Sequence, residues 1–221
     1  MWKKLGVRDC VGIDGDYVDR DRLLIEKSEF ISHDLSRPLD LRRKFDLVQS
    51  LEVAEHLPPS SSEAFVDTLV AHADVILFSA AAPGQGCMWH INERPYGFWR
   101  ELFQRRGYVM LDAIRPAIQN LHEIQPWYRY NSFVFINQSK FDELDGELRS
   151  SRVANDRPVR DVSPRFYQFR KQVIRILPVG VVDRLSILNT AWANRINRRT
   201  KTEHREMDSE TSSGKTSTDR S

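Results

Sequence analysis

The sequence predicts an open α/β fold: a mostly parallel sheet covered by helices on both faces, with an antiparallel last strand and a helical C-terminal extension. Three observations carry this. Short runs rich in Val, Ile, Leu and Phe alternate with helical stretches, and the runs are apolar throughout, as strands are when both faces are buried. Several runs end on a carboxylate or a serine, at the sheet edge where open α/β folds hold ligands. Beyond residue 136 this alternation stops, and polar, then basic, sequence follows.

The elements follow in order. Residues 9–14 read as a short buried strand ending on Asp14. Residues 17–26, with Val18, Leu23, Leu24 and Ile25, predict a weak helix. Residues 29–34 form a second strand ending on Asp34, and residues 45–51 a third. In 63–73, Ala64, Phe65, Leu69, Val70 and Ala73 keep the 3.6-residue period, and Ser60 to Ser62 supply an N-cap. Residues 74–79 are a continuous apolar strand. Residues 96–106 predict an amphipathic helix with Phe98, Trp99, Leu102 and Phe103 inward, stopped by Gly107. Residues 108–114 and 131–136 complete the strands, the second antiparallel to its neighbours. Residues 137–164, broken by Gly146, Pro158 and Pro164, read as a linker with a short helix near 141–148. Residues 165–200 regain an amphipathic pattern, interrupted at Pro178-Val179-Gly180. Residues 201–221 are rich in Ser, Thr, Glu and Lys and are expected to be disordered.

Composition narrows the function classes. The chain has 221 residues, 40% hydrophobic and 29% charged, enough for one core and an extension. No apolar run approaches the roughly 18 residues of a membrane span. Met1 to Gly6 contain two lysines without an apolar segment behind them, so a secretory signal is not expected. Two cysteines make no disulfide framework, and no Cys/His spacing resembles a zinc site, so a reducing cytoplasm is the expected compartment. Asp14, Asp16, Asp19 and Asp21 do not form a calcium loop, because the glycine is misplaced and the twelfth position is Ile25.

The net charge of +2 hides an asymmetry: residues 149–205 carry fourteen Arg or Lys against four Asp or Glu. This basic arm is read either as helices docked on an acidic body or as a contact for an anionic membrane surface, which would make the protein peripheral there. Nucleic acid is the least supported partner, because no recognisable module surrounds the basic residues.

Three strand ends suit a nucleoside. Asp14, followed by Gly15, is placed to accept from both hydroxyls of a ribose; a turn aspartate before glycine is the plain alternative. Asp34 is placed to take the exocyclic amine of adenine while the Leu35 N–H meets a ring nitrogen; the alternative is a local Asx turn. Ser50, Leu51 and Glu52 end the third strand, where backbone would approach the far end of the ligand. Charge-assisted hydrogen bonds of this kind are worth about 1.5–3 kcal/mol each.

The segments Val11-Gly12-Ile13-Asp14, His33-Asp34-Leu35 and Phe45-Asp46-Leu47-Val48-Gln49-Ser50-Leu51-Glu52-Val53-Ala54-Glu55-His56-Leu57 together resemble class I S-adenosylmethionine-dependent methyltransferases. The resemblance covers residues 1–136. It implies a Rossmann-like sheet, S-adenosylmethionine as cofactor, Asp14 on the ribose, Asp34 and Leu35 on adenine, and Ser50 to Val53 along the methionine end. It implies a small-molecule or saccharide acceptor. The segment His90-Ile91-Asn92-Glu93 would face that acceptor, with His90 as general base oriented by Asn92 or Glu93, and His56 near the sulfonium has a similar claim. The alternatives are that Asn92 and Glu93 cap the next helix and that His90 packs on Trp89.

The family's first strand and glycine-rich loop should precede Asp14 by about twenty residues, whereas thirteen residues stand there. The expectation is a truncated sheet lacking its first strand, with cofactor binding impaired. A non-catalytic binding or scaffold relative is the second reading. A dinucleotide enzyme is a third, opposed by the third-strand segment and by the absence of a Tyr-x-x-x-Lys pattern.

Overall fold

The computed structural model describes residues 2–177 and residue 181. Strand β1 (Gly12–Asp14) pairs in parallel with β2 (Phe30–Ser32), Gly12 opposite Phe30 and Asp14 opposite Ser32. The His33 N–H donates to the Asp14 carbonyl at 2.9 Å, which keeps the two strand tips side by side. The helix expected over 17–26 is absent. A 3-10 turn at Arg20–Arg22 and another at Lys27–Glu29 stand in its place. Asp19 accepts from the Asp21 N–H at 3.0 Å, the local side-chain bond that competes with helix. Leu24 remains 87% exposed, so the segment has no apolar stripe to bury.

The other strands are β3 (Val48–Leu51), β4 (Val75–Ser79), β5 (Tyr108–Leu111) and β6 (Phe133–Asn137), in the order β3-β4-β6-β5. β3 and β4 are parallel, and β6 is antiparallel to both its neighbours, as its position in the sequence predicts. The molecule is therefore α/β, but the single sheet expected is two: a parallel pair and a mixed four-stranded sheet. The facing edges of β1 and β3 share no ladder. A cavity of about 450 Å³ lies there, lined by Val11 and Ile13 on one side, Val48 and Ser50 on the other, and Phe65 and Leu69 from the helix behind.

That helix, α1 (Ser62–His72), begins where expected but without the serine cap. The Ser61 hydroxyl donates instead to the Pro58 carbonyl at 2.7 Å, because Pro58 and Pro59 open a 3-10 turn immediately before it. Helix α2 (Tyr96–Gln104) buries Trp99, Leu102 and Phe103 while Phe98 is half-buried, and Gly107 at φ 76° ends it in the left-handed region. These side chains meet the sheet at Phe78, whose ring lies 5.2 Å from Trp99, 5.4 Å from Phe103 and 5.9 Å from Phe135.

Short helices α3 (Arg115–Ile118) and α4 (Pro126–Asn131) connect β5 to β6. Residues 137–164, read as a linker, contain α5 (Gln138–Phe141) and α6 (Gly146–Ser150) and are tied to the body. Arg152 bridges Leu111 at the edge of β5, and Arg100 donates to the carbonyls of Ala154 (2.9 Å) and Arg157 (2.6 Å). Helix α7 (Arg165–Ile176) is the described part of the basic extension. It docks through Lys171, which is 6% exposed and ion-paired with Asp161. The rest of the 165–200 extension, apart from Leu177 and Val181, and the tail expected to be disordered lie outside the described residues.

Candidate functional site

Past the end of β3 the backbone turns sharply. Glu52 takes φ 55°, a left-handed conformation that costs a non-glycine residue about 1–3 kcal/mol. Its N–H is held by the Ser79 carbonyl (3.0 Å) and the Ser79 hydroxyl (3.1 Å). The turn aims the Glu52 carboxylate at two amides: Gln85 Nε2 donates at 2.7 Å and Asn131 Nδ2 at 3.3 Å. Asn131 also donates to Gln85 Oε1 (2.7 Å) and accepts from the buried Tyr96 hydroxyl (2.8 Å). Burial holds the Tyr96 phenol well above its usual range, so it donates at every ordinary pH.

A 3-10 turn at Ala54–His56 follows. The N–H groups of Ile91 and Asn92 both donate to the Glu55 carbonyl at 3.0 Å, and Asn92 Nδ2 reaches the Ala54 carbonyl (3.2 Å) and the Ser62 hydroxyl (2.9 Å). Two segments some 35 residues apart are thus clamped together, and His56 and His90 meet edge to face with ring centroids 4.8 Å apart. Asn92 builds the clamp. Glu93 orients His90, its Oε1 lying 2.9 Å from Nδ1. Neither residue caps α2, whose N-cap is Pro95 without a side-chain bond.

The Glu93 carboxylate is held in turn by the N–H groups of Gly84 (2.7 Å) and Gly86 (2.8 Å). Both glycines have positive φ, and their two amides, on either side of Gln85, converge on the one carboxylate as in an anion-binding nest. Burial would raise the Glu93 pKa, but His90 and the two amides outweigh it and hold the group below its ordinary value. Glu93 is therefore an anion, and His90 Nδ1 must be the donor to it. His56 Nδ1 lies 3.2 Å from the Trp89 carbonyl, which only accepts, so that nitrogen also carries its proton. With each Nδ1 engaged, Nε2 is the nitrogen of each ring without a hydrogen-bond partner. Burial, then the neighbouring His90, lowers the His56 pKa and favours this neutral state.

Glu55 is fully buried, and neither carboxylate oxygen has a hydrogen-bond partner. Burial first, and the nearby Glu52 second, push its pKa up to about 8. The site thus gathers one carboxyl held neutral near pH 7, two imidazoles presenting lone pairs, and an amide network on Glu52.

Of the predicted nucleoside residues, Glu52 joins this cluster, whereas Asp14 and Asp34 bond within their own turns. Asp14 and Asp34 stand at neighbouring strand tips, but each carboxylate is occupied locally. Asp14 Oδ1 accepts from the Gly15 N–H (2.7 Å) and from the Tyr17 hydroxyl (2.6 Å). Asp34 Oδ1 accepts from the Ser36 N–H (3.0 Å) and hydroxyl (2.6 Å), an Asx turn, and these bonds keep its pKa low. Leu35 and Ser50 line the cavity between the sheets; Asp14, Gly15, Asp34, Leu51 and Glu52 do not. The Ser50 hydroxyl is buried without a partner.

Among the functional candidates, His56, His90 and Glu52 are brought together. Glu55, Gln85 and Asn131 join them unforeseen from the sequence. Glu55 had a signal, since Glu52-x-x-Glu55-His56 would share one face of any helical turn; Gln85 and Asn131 had none, being far apart in the chain. Compared with known protein families, curated proteins and solved structures, the chain matches none.

Proposed function

We propose that this chain is an S-adenosylmethionine-dependent methyltransferase domain acting on a small-molecule or saccharide acceptor. One observation supports the reading best: the parallel pairing of β1 with β2, which sets the Asp14 and Asp34 tips beside each other. Asp14 would take the ribose, Asp34 with the Leu35 N–H the adenine, and Ser50 to Glu52 the methionine end. The polar cluster of His56 and His90 would receive the acceptor. Methyl transfer needs an acceptor atom held in line, about 3–3.5 Å from the methyl carbon, more than it needs a strong base. His90, with Nδ1 pinned by Glu93, would take a proton at Nε2 where the acceptor's pKa demands it.

Titration calorimetry with S-adenosylhomocysteine tests this, on the chain as given and on a form extended by any codons in frame before Met1. Saturable binding in at least one form, weakened tenfold or more by Asp14→Ala, is expected. Binding in neither form would contradict the proposal and favour a non-catalytic scaffold.

A second role is favoured by α7. Phe166, Phe169 and Ile176 are 80%, 63% and 81% exposed and are interleaved with Arg165 and Arg175. This face would rest on an anionic membrane surface. Co-sedimentation with phosphatidylserine vesicles, lost in Phe166→Ser/Phe169→Ser and at high salt, is the expected result; equal pelleting with neutral vesicles would contradict it.

A further inference from the structure

We propose that Glu55, His56 and His90 form a binding site for a divalent transition-metal ion of the zinc or cobalt type, held by two imidazole nitrogens and one carboxylate. One donor atom from each side chain lies within 4.8 Å of the others. Ligands about 2.0–2.1 Å from one ion stand roughly 3.0–3.4 Å apart, so the set closes by a contraction of about 1.5 Å. The inference does not rest on the methyl-transfer reading.

Proximity alone would carry little. Three further features point to a ligand. First, Glu55 is fully buried with both oxygens unpartnered. A buried polar group with no partner is destabilising, and a cation between it and the two rings removes that cost. Secondly, both histidines are oriented as metal ligands are. Each donates through Nδ1, His56 to the Trp89 carbonyl and His90 to the Glu93 carboxylate, and each leaves Nε2 bare. A carbonyl or carboxylate behind the ligating ring is the usual support of metal-bound histidine, fixing orientation and raising basicity. Thirdly, the support is itself anchored, because Gly84 and Gly86 hold Glu93 in place.

Two nitrogens and one oxygen leave at least one coordination position open. His56 is exposed, so the open position faces solvent and an oxygen-bearing ligand can reach it. The donor set selects against calcium and magnesium, which take oxygen ligands almost exclusively. Exposed Cys87 is the nearest competing thiol in the sequence and needs its own control.

The test uses tag-free full chain stripped with a chelator. Zinc is titrated by calorimetry, and cobalt(II) by its visible absorption, which reports coordination without any activity. One ion per chain is expected, with an absorption band typical of mixed nitrogen and oxygen ligation. His56→Ala, on an exposed side chain, should weaken zinc binding at least tenfold, as should His90→Ala and Glu55→Gln. Glu93→Gln removes no ligand and should weaken binding 10–100-fold through His90. Cys87→Ser and His33→Ala should leave affinity within twofold. No saturation by either ion below 1 mM (about −4 kcal/mol of binding) would overturn the proposal. So would saturable binding that His56→Ala leaves unchanged in a folded variant, or a loss confined to Cys87→Ser.

Discussion

At the scale of single residues, local conformation and function diverge in informative places. Glu52 and Trp89 both take left-handed backbone, and both adjoin the His56–His90 pair, Glu52 leading into the turn and Trp89 supplying the carbonyl behind His56. Strain of this kind persists only where surrounding bonds enforce it, as Ser79 does for Glu52. Asp14 illustrates the opposite case, a predicted ligand already satisfied by its own turn. Tyr17 is 81% exposed and its hydroxyl competes for Asp14 Oδ1. Under the nucleoside reading, Tyr17→Phe removes one of the two donors on that oxygen, the Gly15 N–H remaining, and should tighten S-adenosylhomocysteine binding about 2–10-fold, the worth of one ordinary hydrogen bond. Calorimetry measures it; unchanged or weaker binding would place the ribose elsewhere. Strand-tip acids were legible because they sit next to apolar runs. Glu55 carried only a spacing signal, because a carboxylate in a turn is normally solvated, whereas here it is fully buried.

At the scale of elements, every strand named from apolar runs exists, though shorter than the runs. Periodicity registers burial, whereas a ladder also needs a partner edge: Phe45 makes only an isolated bridge with Ala73, and pairing starts at Val48. The helix expected at 17–26 fails for a reason visible afterwards, since aspartates at 16, 19 and 21 favour turns. Contacts of α7 were illegible because they depend on a loop eighty residues away. Gly84, at φ 83°, admits no side chain: a Cβ there would lie 2.1 Å from the Lys171 carbonyl oxygen. Arg170 also donates to the Gln85 carbonyl at 3.0 Å. Gly84→Ala should therefore destabilise the protein by more than about 1 kcal/mol and expose α7 to limited proteolysis before the rest of the chain. A urea midpoint equal to wild type would refute this packing. A larger cost is expected beside β5. Arg115 is 1% exposed, forms a two-pronged pair with Asp112 at 2.8 and 2.7 Å, and lies 4.1 Å from the Phe133 ring centre. Asp112→Ala leaves that guanidinium buried without its counter-ion and should cost about 3–5 kcal/mol, measured by urea unfolding; a loss below about 1 kcal/mol would mean that the carbonyls of Tyr130 and Arg160 suffice.

At the scale of the whole molecule, the basic region is tied within itself and to the body. Lys171 pairs with Asp161 inside that region, and Arg170 donates to the Gln85 carbonyl on the body. Burial would raise the Asp161 pKa, but its bonds from Lys171 and Ser163 outweigh this and hold it below the ordinary 3.8. A depressed folded-state pKa contributes stability above the unfolded value and loses it as pH falls through the folded one. Asp161→Asn should accordingly destabilise the protein at pH 7, and the difference from wild type should shrink below about pH 4; a pH-independent difference in urea midpoint would assign the loss to packing instead. The architecture was legible as α/β with an antiparallel last strand. The division into two sheets was not legible in the apolar runs, which register burial and not which edges pair.

The central claim is that the turn after β3 and the loop carrying His90 meet to build one working centre around Glu55. Anomalous diffraction at the zinc absorption edge, from crystals of tag-free chain grown with one equivalent of zinc, tests it most directly. The account predicts a single strong peak bounded by Glu55, His56 Nε2 and His90 Nε2. A peak at Cys87 or at scattered surface sites, with none between the two imidazoles, would contradict it.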